Sequence, residues 1–301
     1  TARKNEVTAL LGHNGAGKST LMSILTGLFP PTTGTAVVNG HSIQTSIALV
    51  QEQVGLCMQA NCLWEKLTCN EHLKLCGKIR GVSAEQTDKE IVALLSSLQL
   101  LDKRYEYSSK LSGGMKRKLS VAMAYLGNPA VVILDEPTAG MDPAARRLTW
   151  NLILERRKHC CVLLSTHHMD EADLLSGHVV MIANGKVRAA GSPPELKRQH
   201  GSGYTLSLFL QDTANRAEIA SVVKTHVDSA VIKDDTAREL SFEMSVDQRS
   251  LFAALLSDID NRSTELGITG HGVRACSLEQ VFLNVLDNAI EADKKVNDDD
   301  D

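Results

Sequence analysis

The chain has 301 residues, of which 43% are hydrophobic and 23% are charged, which is ordinary for a globular protein large enough to form two domains. Its net charge of −4 gives no electrostatic indication of nucleic-acid binding. No apolar run reaches the roughly 18 residues that a membrane-spanning helix needs, and no signal peptide is visible. Because the sequence begins at Thr1 and enters a predicted strand almost at once, we interpret it as an excerpt from a longer protein.

The first part of the chain alternates strand and helix patterns. Three apolar runs are interpreted as strands of a parallel sheet that is covered on both faces: residues 6–12, 130–135 and 160–166. Residues 35–43 and 178–191 are predicted hairpins, because each carries an Asn-Gly pair at its centre. Helical periodicity is found at residues 18–28 and, after a long interval, from about residue 70 to residue 128.

The order of elements changes after a polar stretch at residues 197–203. The predicted elements that follow are a strand (204–210), a helix (213–227), two strands (231–233 and 239–244), a helix (247–266), a strand (270–274) and a helix (277–286). This order resembles a small βαββαβ unit. We therefore expect a first domain at residues 1–200, an α+β domain at 201–290 and a disordered acidic tail at 291–301.

The seven cysteines give little indication of a special function. Four of them lie between Cys57 and Cys76, but their gaps are longer and less regular than those of ordinary zinc-binding pairs. Cys160 and Cys161 lie in an apolar stretch and are interpreted as buried thiols. Reduced cysteines are typical of a cytosolic protein.

A phosphate-binding loop is predicted at residues 12–20, GHNGAGKST, between the first strand and the first helix. Its glycines let backbone N–H groups surround phosphate oxygens, and the helix N-terminus adds positive potential. We expect Lys18 to reach the β and γ phosphates and the Ser19 hydroxyl to ligate Mg²⁺. The residues expected to bind nucleotide here are Gly12, Asn14, Gly15, Ala16, Gly17, Lys18, Ser19 and Thr20.

Acidic and histidine side chains follow two of the predicted strands. Asp135 and Glu136 end the strand in VVILDEP, and open parallel sheets bind ligands at that end. Asp135 suits a magnesium site, and Glu136 can polarise an attacking water. The next strand ends in His167 and His168, and the residue pattern alone does not choose between them.

Together these motifs resemble those of an ATP-binding cassette (ABC) ATPase, and they occur in the family's order over about residues 1–200. The resemblance rests on the phosphate loop, LSGGM (111–115), VVILDEP (131–137) and STH (165–167). Gln59 in GLCMQ resembles the family's Q-loop, and Asp142 at the end of AGMD resembles its D-loop. Met115 replaces the usual glutamine but is at home in the A subfamily, which LTGLFPPTTGTA and LGITGHGVRACSLEQVFLNV also resemble.

The resemblance implies a fold and a set of roles. The fold is an α/β P-loop ATPase core with a helical subdomain at about residues 70–128, followed by a small ferredoxin-like α+β regulatory domain. ATP and Mg²⁺ would be bound, the metal by Ser19, Gln59 and Asp135. Glu136 would activate water, and the choice between the histidines falls on His167.

The resemblance also implies that nucleotide is shared between two cassettes. In the family, the signature of one cassette faces the phosphate loop of another. Ser112 and Gly114 would then contact the γ phosphate of ATP bound to the partner, and Gly113 and Asp142 are also expected to bind nucleotide. The three consecutive cations Lys116–Lys118 fall in the first turn of the predicted signature helix, where positive charge is mildly unfavourable. We therefore expect this cationic turn to await the partner's anion.

At the level of the whole protein, the resemblance implies a lipid transporter in which ATP-driven pairing of two cassettes powers membrane domains outside this chain. This cassette resembles the first of the two, at the cytoplasmic face of a membrane, with no nucleic acid bound and no lipid bound by this domain. The alternative is a soluble ABC ATPase of the translation or DNA-repair type. Too few residues separate Lys18 from Leu111 for the long coiled coil of the repair proteins, and only one cassette is seen where the translation type has two.

Overall fold

The structure is a computed structural model that describes residues 1–201, 203–212 and 214–287. It divides into two compact units, Thr1–Pro193 and Pro194–Asp301. The predicted disordered tail at 291–301 lies outside the described residues. Within those residues, no helix has both the length and the apolar character required to cross a membrane.

The strands of the first unit form a six-stranded sheet and a small hairpin. They are β1 (Val7–Leu11), β2 (Val37–Val38), β3 (His41–Ser42), β4 (Val54–Cys57), β5 (Val131–Asp135), β6 (Cys161–Thr166), β7 (His178–Ala183) and β8 (Lys186–Gly191). The strand order is β4-β5-β6-β1-β7-β8, and only the pairing of β7 with β8 is antiparallel. The predicted strands and hairpins are confirmed, whereas β4 carried no recognised strand signal in the sequence.

Helices cover both faces of this sheet. They are α1 (Lys18–Leu25), α2 (Ile47–Gln53), α3 (Cys69–Ile79), α4 (Ala84–Ser97), α5 (Gly113–Tyr125), α6 (Pro143–Arg156) and α7 (Met169–Leu175). Side chains alternate along each strand, so Val132 and Leu134 of β5 pack into the core that includes α3, α4 and α5. Ile133 between them packs into the opposite core with Met22 of α1. Burial on both faces explains why the strands appear in the sequence as continuous apolar runs.

The predicted helical stretch at residues 70–128 is confirmed in type and consists of α3, α4 and α5. Short 3-10 turns at Leu101–Lys103 and Ser108–Lys110 join the last two. A capping box begins α3, in which the Thr68 hydroxyl accepts from the Glu71 N–H while the Glu71 carboxylate accepts from the Thr68 N–H. A second cap begins α4, where the Ser83 hydroxyl accepts from the Gln86 N–H, so α4 starts as a helix separate from α3.

The second unit has its own sheet and its own core. Its elements are α8 (Pro193–His200), β9 (Tyr204–Leu210), α9 (Arg216–His226), β10 (Val231–Asp235), β11 (Glu239–Met244), α10 (Phe252–Leu266) and β12 (Ile268–Ala275), and residues 278–287 are also helical. The strand order β10-β11-β9-β12 is antiparallel throughout, as in a ferredoxin-like βαββαβ fold. Leu206, Leu208 and Phe242 of the sheet pack against Ile219 of α9 and Leu255 of α10.

One predicted helix of this unit differs in the structure. Residues 247–266 were expected to form a single helix, but Val246–Leu251 is a 3-10 segment and the α-helix begins at Phe252. The helix ends at Gly267, whose φ of 68° is the left-handed conformation that favours glycine. Thr213, the predicted start of the preceding helix, lies outside the described residues.

The cysteines are free thiols, and most are shielded from solvent. Burial raises the pKa of Cys57, Cys69 and Cys160 to about 11 in each case. The prediction of a buried thiol is confirmed for Cys160, whereas Cys161 is half-buried. At neutral pH the thiols with raised pKa are protonated, so they act as apolar core groups.

Candidate active site

Four parallel strands end at the same edge of the first sheet. β4, β5, β6 and β1 are consecutive neighbours, and Leu11 of β1 lies beside Thr166 of β6. Asp135 of β5 lies beside Ser165 of the same strand β6. The loops that follow these strands therefore meet, as expected for a ligand site of an open parallel sheet. They carry the phosphate loop, Gln59, Glu136 and His167.

The phosphate loop requires glycine at its start and at its end. A Cβ on Gly12 would lie 2.6 Å from the carbonyl oxygen of Ile182 and 2.9 Å from Cβ of Ala16, so no side chain fits. Gly17, which caps α1, has a φ of 104°, a conformation that L-residues rarely adopt. Asn14, Gly15, Ser19 and Thr20 are exposed around the loop, whereas Ala16 is buried beneath it.

Lys18 is held inside the loop. Only 6% of the residue is exposed, and its ammonium donates hydrogen bonds to the carbonyl oxygens of Gly12, at 2.7 Å, and His13, at 3.1 Å. Burial lowers the pKa of Lys18, and the negative charges of Glu136 and Asp135 oppose that shift. The two acids thus favour a charged ammonium at the place where phosphate is expected.

The polar side chains at or just after the ends of these strands, Gln59, Asp135, Glu136 and His167, are called the strand-end cluster, and Glu136 lies at its centre. Its Oε2 accepts a hydrogen bond from Nε2 of Gln59 at 3.4 Å, and its Oε1 lies 3.1 Å from Nδ1 of His167. The residue is buried and has a φ of 49°, which is uncommon outside glycine. Strained conformations of this kind persist where neighbouring contacts hold them, and they cluster at active sites.

Ser165 supplies those neighbouring contacts, although the sequence analysis gave it no role. The Glu136 N–H donates to both the carbonyl and the hydroxyl oxygen of Ser165, each at 3.1 Å. The same hydroxyl donates to Oδ1 of Asp135. Ser165 is fully buried, so this small group fixes both acids from the neighbouring strand.

The two histidines have different surroundings. His167 is half-exposed and contacts Glu136, whereas His168 precedes α7 and its N–H donates to Oγ1 of Thr166. The centroids of the two rings are 4.1 Å apart, and their planes are tilted by 37°. Burial lowers the pKa of His168, and the neighbouring His167 lowers it further. The contact with Glu136 therefore belongs to His167.

The polar side chains of the signature and the D-loop, Ser112 and Asp142, each cap the helix that follows them. The Ser112 hydroxyl caps α5 by accepting from the Met115 N–H at 3.3 Å. Asp142 caps α6, accepting from the N–H groups of Ala144 and Ala145, and the Ala145 hydrogen bond is the main cause of its lowered pKa. The structure does not show these residues bonded to the strand-end cluster, in contrast to Gln59, Asp135 and His167.

The expectation that the cationic turn awaits the partner's anion is wrong for Arg117. Its guanidinium is only 2% exposed and donates to backbone carbonyls of the same chain, including those of Gln59 and Glu136 at 2.9 Å each. Lys118 is also buried, and its charge lowers the pKa of Asp142. The Arg117 charge, which appears misplaced at a helix start, is therefore partnered within the fold, a distinction that sequence spacing does not reveal.

One cavity joins three of the predicted metal ligands. It has a volume of about 240 Å³, and its lining includes Ser19, Gln59 and Asp135. These side chains offer a hydroxyl, an amide oxygen and a carboxylate. Oxygen donors of this kind suit Mg²⁺, which keeps several waters and takes few protein ligands. The residues present therefore fit the metal that the phosphate loop implies.

A phosphate loop, two acids and a histidine at the end of a parallel sheet define a P-loop ATPase, and comparison with known proteins agrees. The "ABC transporter" family model matches residues 1–139, and the "ACT-like domain" model matches residues 204–278. "ATP-binding cassette sub-family A member 2" of Rattus norvegicus is 39% identical over 306 residues, covering 94% of this chain and 13% of that protein. "Phospholipid-transporting ATPase ABCA3" of Mus musculus is 40% identical over 282 residues, covering 94% and 16% respectively.

A solved structure, "Structure of ATP binding subunit of ABC transporter", aligns with a TM-score of 0.63 at 32% identity, covering 67% of this chain and 84% of that one. The chain belongs to the ABC transporter family, and its first unit is an ABC ATPase domain. The two relatives of the A subfamily confirm the resemblance seen in the sequence. The chain spans only 13% and 16% of the length of these relatives.

Replacing Ser165 by alanine tests whether its hydroxyl positions the acids. We expect Ser165→Ala to lower the ATPase rate about 10-fold, because Asp135 loses a donor and small displacements of reacting groups are costly. The free energy of unfolding should fall by only about 1–2 kcal/mol. Steady-state phosphate release and denaturant unfolding measure the two effects.

The matched control is Ser176→Ala. Ser176 is also buried, and its hydroxyl donates to the carbonyl of Ala172 at the end of α7. This change should cost similar stability and leave the ATPase rate unchanged. Equal losses of rate in the two variants would contradict a specific role for Ser165.

Proposed function

We propose that the strand-end cluster hydrolyses MgATP and that this hydrolysis powers membrane transport. The observation that carries the proposal is the position of the Glu136 carboxylate between Gln59 and His167, at the edge that also holds Lys18. Nucleotide would bind along residues 12–20, with its phosphates against the N-terminus of α1. The whole cluster lies within one compact unit.

In this proposal Ser19, Gln59 and Asp135 would hold Mg²⁺, which would neutralise phosphate charge and orient the phosphates. Their shared cavity and their oxygen donors support this assignment. Lys18 contributes a positive charge that the loop already buries. Its two bonds to loop carbonyls would be replaced, at least in part, by bonds to phosphate oxygens.

The chemistry requires a group that takes a proton from water. Water attacks the γ phosphorus in line with the bridging oxygen, the bond from that oxygen to phosphorus breaks, and Glu136 accepts the proton. His167, in contact with Glu136, holds the carboxylate and can donate to the developing phosphate. The charge of Lys18 stabilises the leaving diphosphate.

Replacing Glu136 by glutamine tests this assignment. We expect Glu136→Gln to abolish steady-state turnover, because an amide accepts no proton, while ATP affinity stays within about threefold of the unaltered protein. The variant should also accumulate as a closed pair with ATP. Phosphate release, equilibrium nucleotide binding and sedimentation in the presence of ATP provide the measurements.

Glu85→Gln is the control for this substitution. Glu85 is exposed at the start of α4 and pairs with Lys89, so its neutralisation should change neither turnover nor binding. Near-normal turnover by Glu136→Gln would exclude Glu136 as the proton acceptor.

The open signature supports a second cassette as partner. Ser112 and Gly113 are exposed, and a Cβ on Gly113 or Gly114 would meet nothing within 4 Å. Neither glycine has the positive φ that would require it. Since alanine would stabilise a helix start in this space, the reason for glycine lies outside the chain. Close approach of another molecule's phosphate would supply that reason, and the N-terminus of α5 favours an anion.

Mixed pairs test whether Ser112 serves the partner's nucleotide. A chain with Lys18→Ala and a chain with Ser112→Arg should each be inactive alone, because every site in a pair of identical chains carries one lesion. In a mixed pair, one site carries both lesions and the other carries none. Mixing should therefore restore at most about half of the unaltered rate per pair if the sites act independently.

Phosphate release against the mixing ratio is the measurement, with cross-linking to count mixed pairs. A mixture that never exceeds the pure variants, although mixed pairs form and close, would contradict the shared site. The control is a chain that carries both Lys18→Ala and Ser112→Arg, mixed with unaltered chains. It tests whether expression and pairing are affected by the substitutions themselves.

The transported substrate is inferred from the relatives. One of them is named a phospholipid-transporting ATPase, and both belong to the A subfamily. We infer that this chain powers lipid movement as the first of two cassettes, at the cytoplasmic face of a membrane and together with transmembrane domains. Lipid itself would not bind this chain. The similarity over 94% of the chain favours this function over a translation or DNA-repair ATPase.

The second unit is proposed to regulate the first. It has a separate core, and the predicted nucleotide residues all lie before Pro194. Deleting residues 203–290 should leave ATP affinity within about threefold, because the binding loops keep their own supports. The deletion should change the ATPase rate or the pairing of cassettes.

Circular dichroism and thermal melting establish that the shortened protein is folded before these measurements. Loss of ATP binding by a folded truncation would contradict the division of roles. Unchanged pairing and an unchanged ATPase rate would contradict regulation.

A further inference from the structure

Arg117 joins two loops of the candidate active site from within α5. Its guanidinium is nearly fully buried, with 2% of the residue exposed. The groups that accept its hydrogen bonds are the backbone carbonyls of Met58, Gln59, Asp135, Glu136 and Pro137 and the amide oxygen of Asn61. The Arg117 side chain, which projects from α5, therefore forms hydrogen bonds to both the loop after β4 and the loop after β5.

The chemistry of this contact needs an arginine. The guanidinium stays charged at any relevant pH and presents five N–H donors in a rigid plane. In the structure Nη1 donates to the carbonyl of Gln59, Nη2 to that of Glu136, and Nε to that of Pro137 at 3.3 Å. A lysine ammonium is a single point of charge and could not span both loops in this way.

The two loops that Arg117 joins carry the groups that meet at the site. Gln59 donates to the Glu136 carboxylate, while the backbones of both residues are held by Arg117. Glu136 also has a strained φ of 49°, so its backbone orientation needs outside support. Ser165 holds its N–H, and Arg117 holds its carbonyl.

We propose that Arg117 is a positioning residue for hydrolysis, which orients the Glu136 carboxylate and Gln59 by fixing their backbones relative to α5. It acts through the protein groups that accept its hydrogen bonds. Because α5 also begins at the signature, Arg117 makes the start of this helix and the catalytic loops move as one body. The inference rests on the proposed role of Glu136 in hydrolysis.

The test compares Arg117→Met, Arg117→Lys and Arg80→Met in the intact protein. Methionine keeps the unbranched aliphatic part of the side chain and removes its donors. Arg80 is the matched control, since it is a half-buried arginine that donates to the backbone carbonyls of Ala124 and Leu126, away from the candidate active site. Equilibrium MgATP binding, the single-turnover rate of phosphate release and thermal melting are measured for each.

We expect Arg117→Met to bind MgATP within about threefold of the unaltered protein and to lose about 10- to 100-fold in single-turnover rate, the effect of displacing a reacting group by roughly 1 Å. The rate of Arg117→Lys should fall between those of Arg117→Met and the unaltered protein, and the rate of Arg80→Met should stay within about twofold of the unaltered protein. Adding Arg117→Met to Glu136→Gln should cause no further loss, because both changes act on the same group.

A merely structural role would lower melting temperature, binding and rate together, and that outcome overturns the proposal. An Arg117→Met rate within about twofold of the Arg80→Met rate also overturns it. If the methionine variant does not fold, a full rate in Arg117→Lys overturns it equally. Normal turnover in Glu136→Gln alone would refute the proposed role of Glu136, whereas loss there with full activity in Arg117→Met would refute only the role of Arg117.

Discussion

The common register of four parallel strands is the constraint on which the candidate site depends. β4, β5, β6 and β1 all end at one edge, and the pairing of Asp135 with Ser165 sets the height of the two acids. A slip of one residue would exchange the two faces of a strand and would move Asp135 away from Ser165. The register therefore brings the loops of the candidate site together.

The polar groups at this edge are held by backbone contacts more than by ion pairs. Ser165 and Arg117 bind the two sides of the Glu136 peptide, and its carboxylate is left to interact with Gln59 and His167. Burying a guanidinium against carbonyl dipoles is costly unless its donors are satisfied, and here they are. The Glu136 carboxylate is therefore held on a rigid backbone, which is the preorganisation that hydrolysis needs.

Some glycines are required by the packing of this chain, whereas others are not. At Gly12, and at Gly55 of β4, a Cβ would meet a backbone oxygen at 2.6 and 1.9 Å, so the fold itself excludes any side chain. At Gly113 and Gly114 the space is open within 4 Å. The chain's own packing does not require glycine at these two positions, and this contrast supports the proposed approach of a second cassette.

The sequence by itself determined the phosphate loop, the acids, the strands that end at them and the order of the second unit, because these depend on local spacing and on alternation of apolar residues. Only the tertiary structure decided that His167 contacts Glu136, that Ser165 supports both acids and that Arg117 is buried rather than waiting for an anion. β4 escaped notice because its four residues are too short for a period to be recognised. A charge in a helical turn has the same spacing whether it faces solvent or two carbonyl-rich loops, and only packing distinguishes these environments.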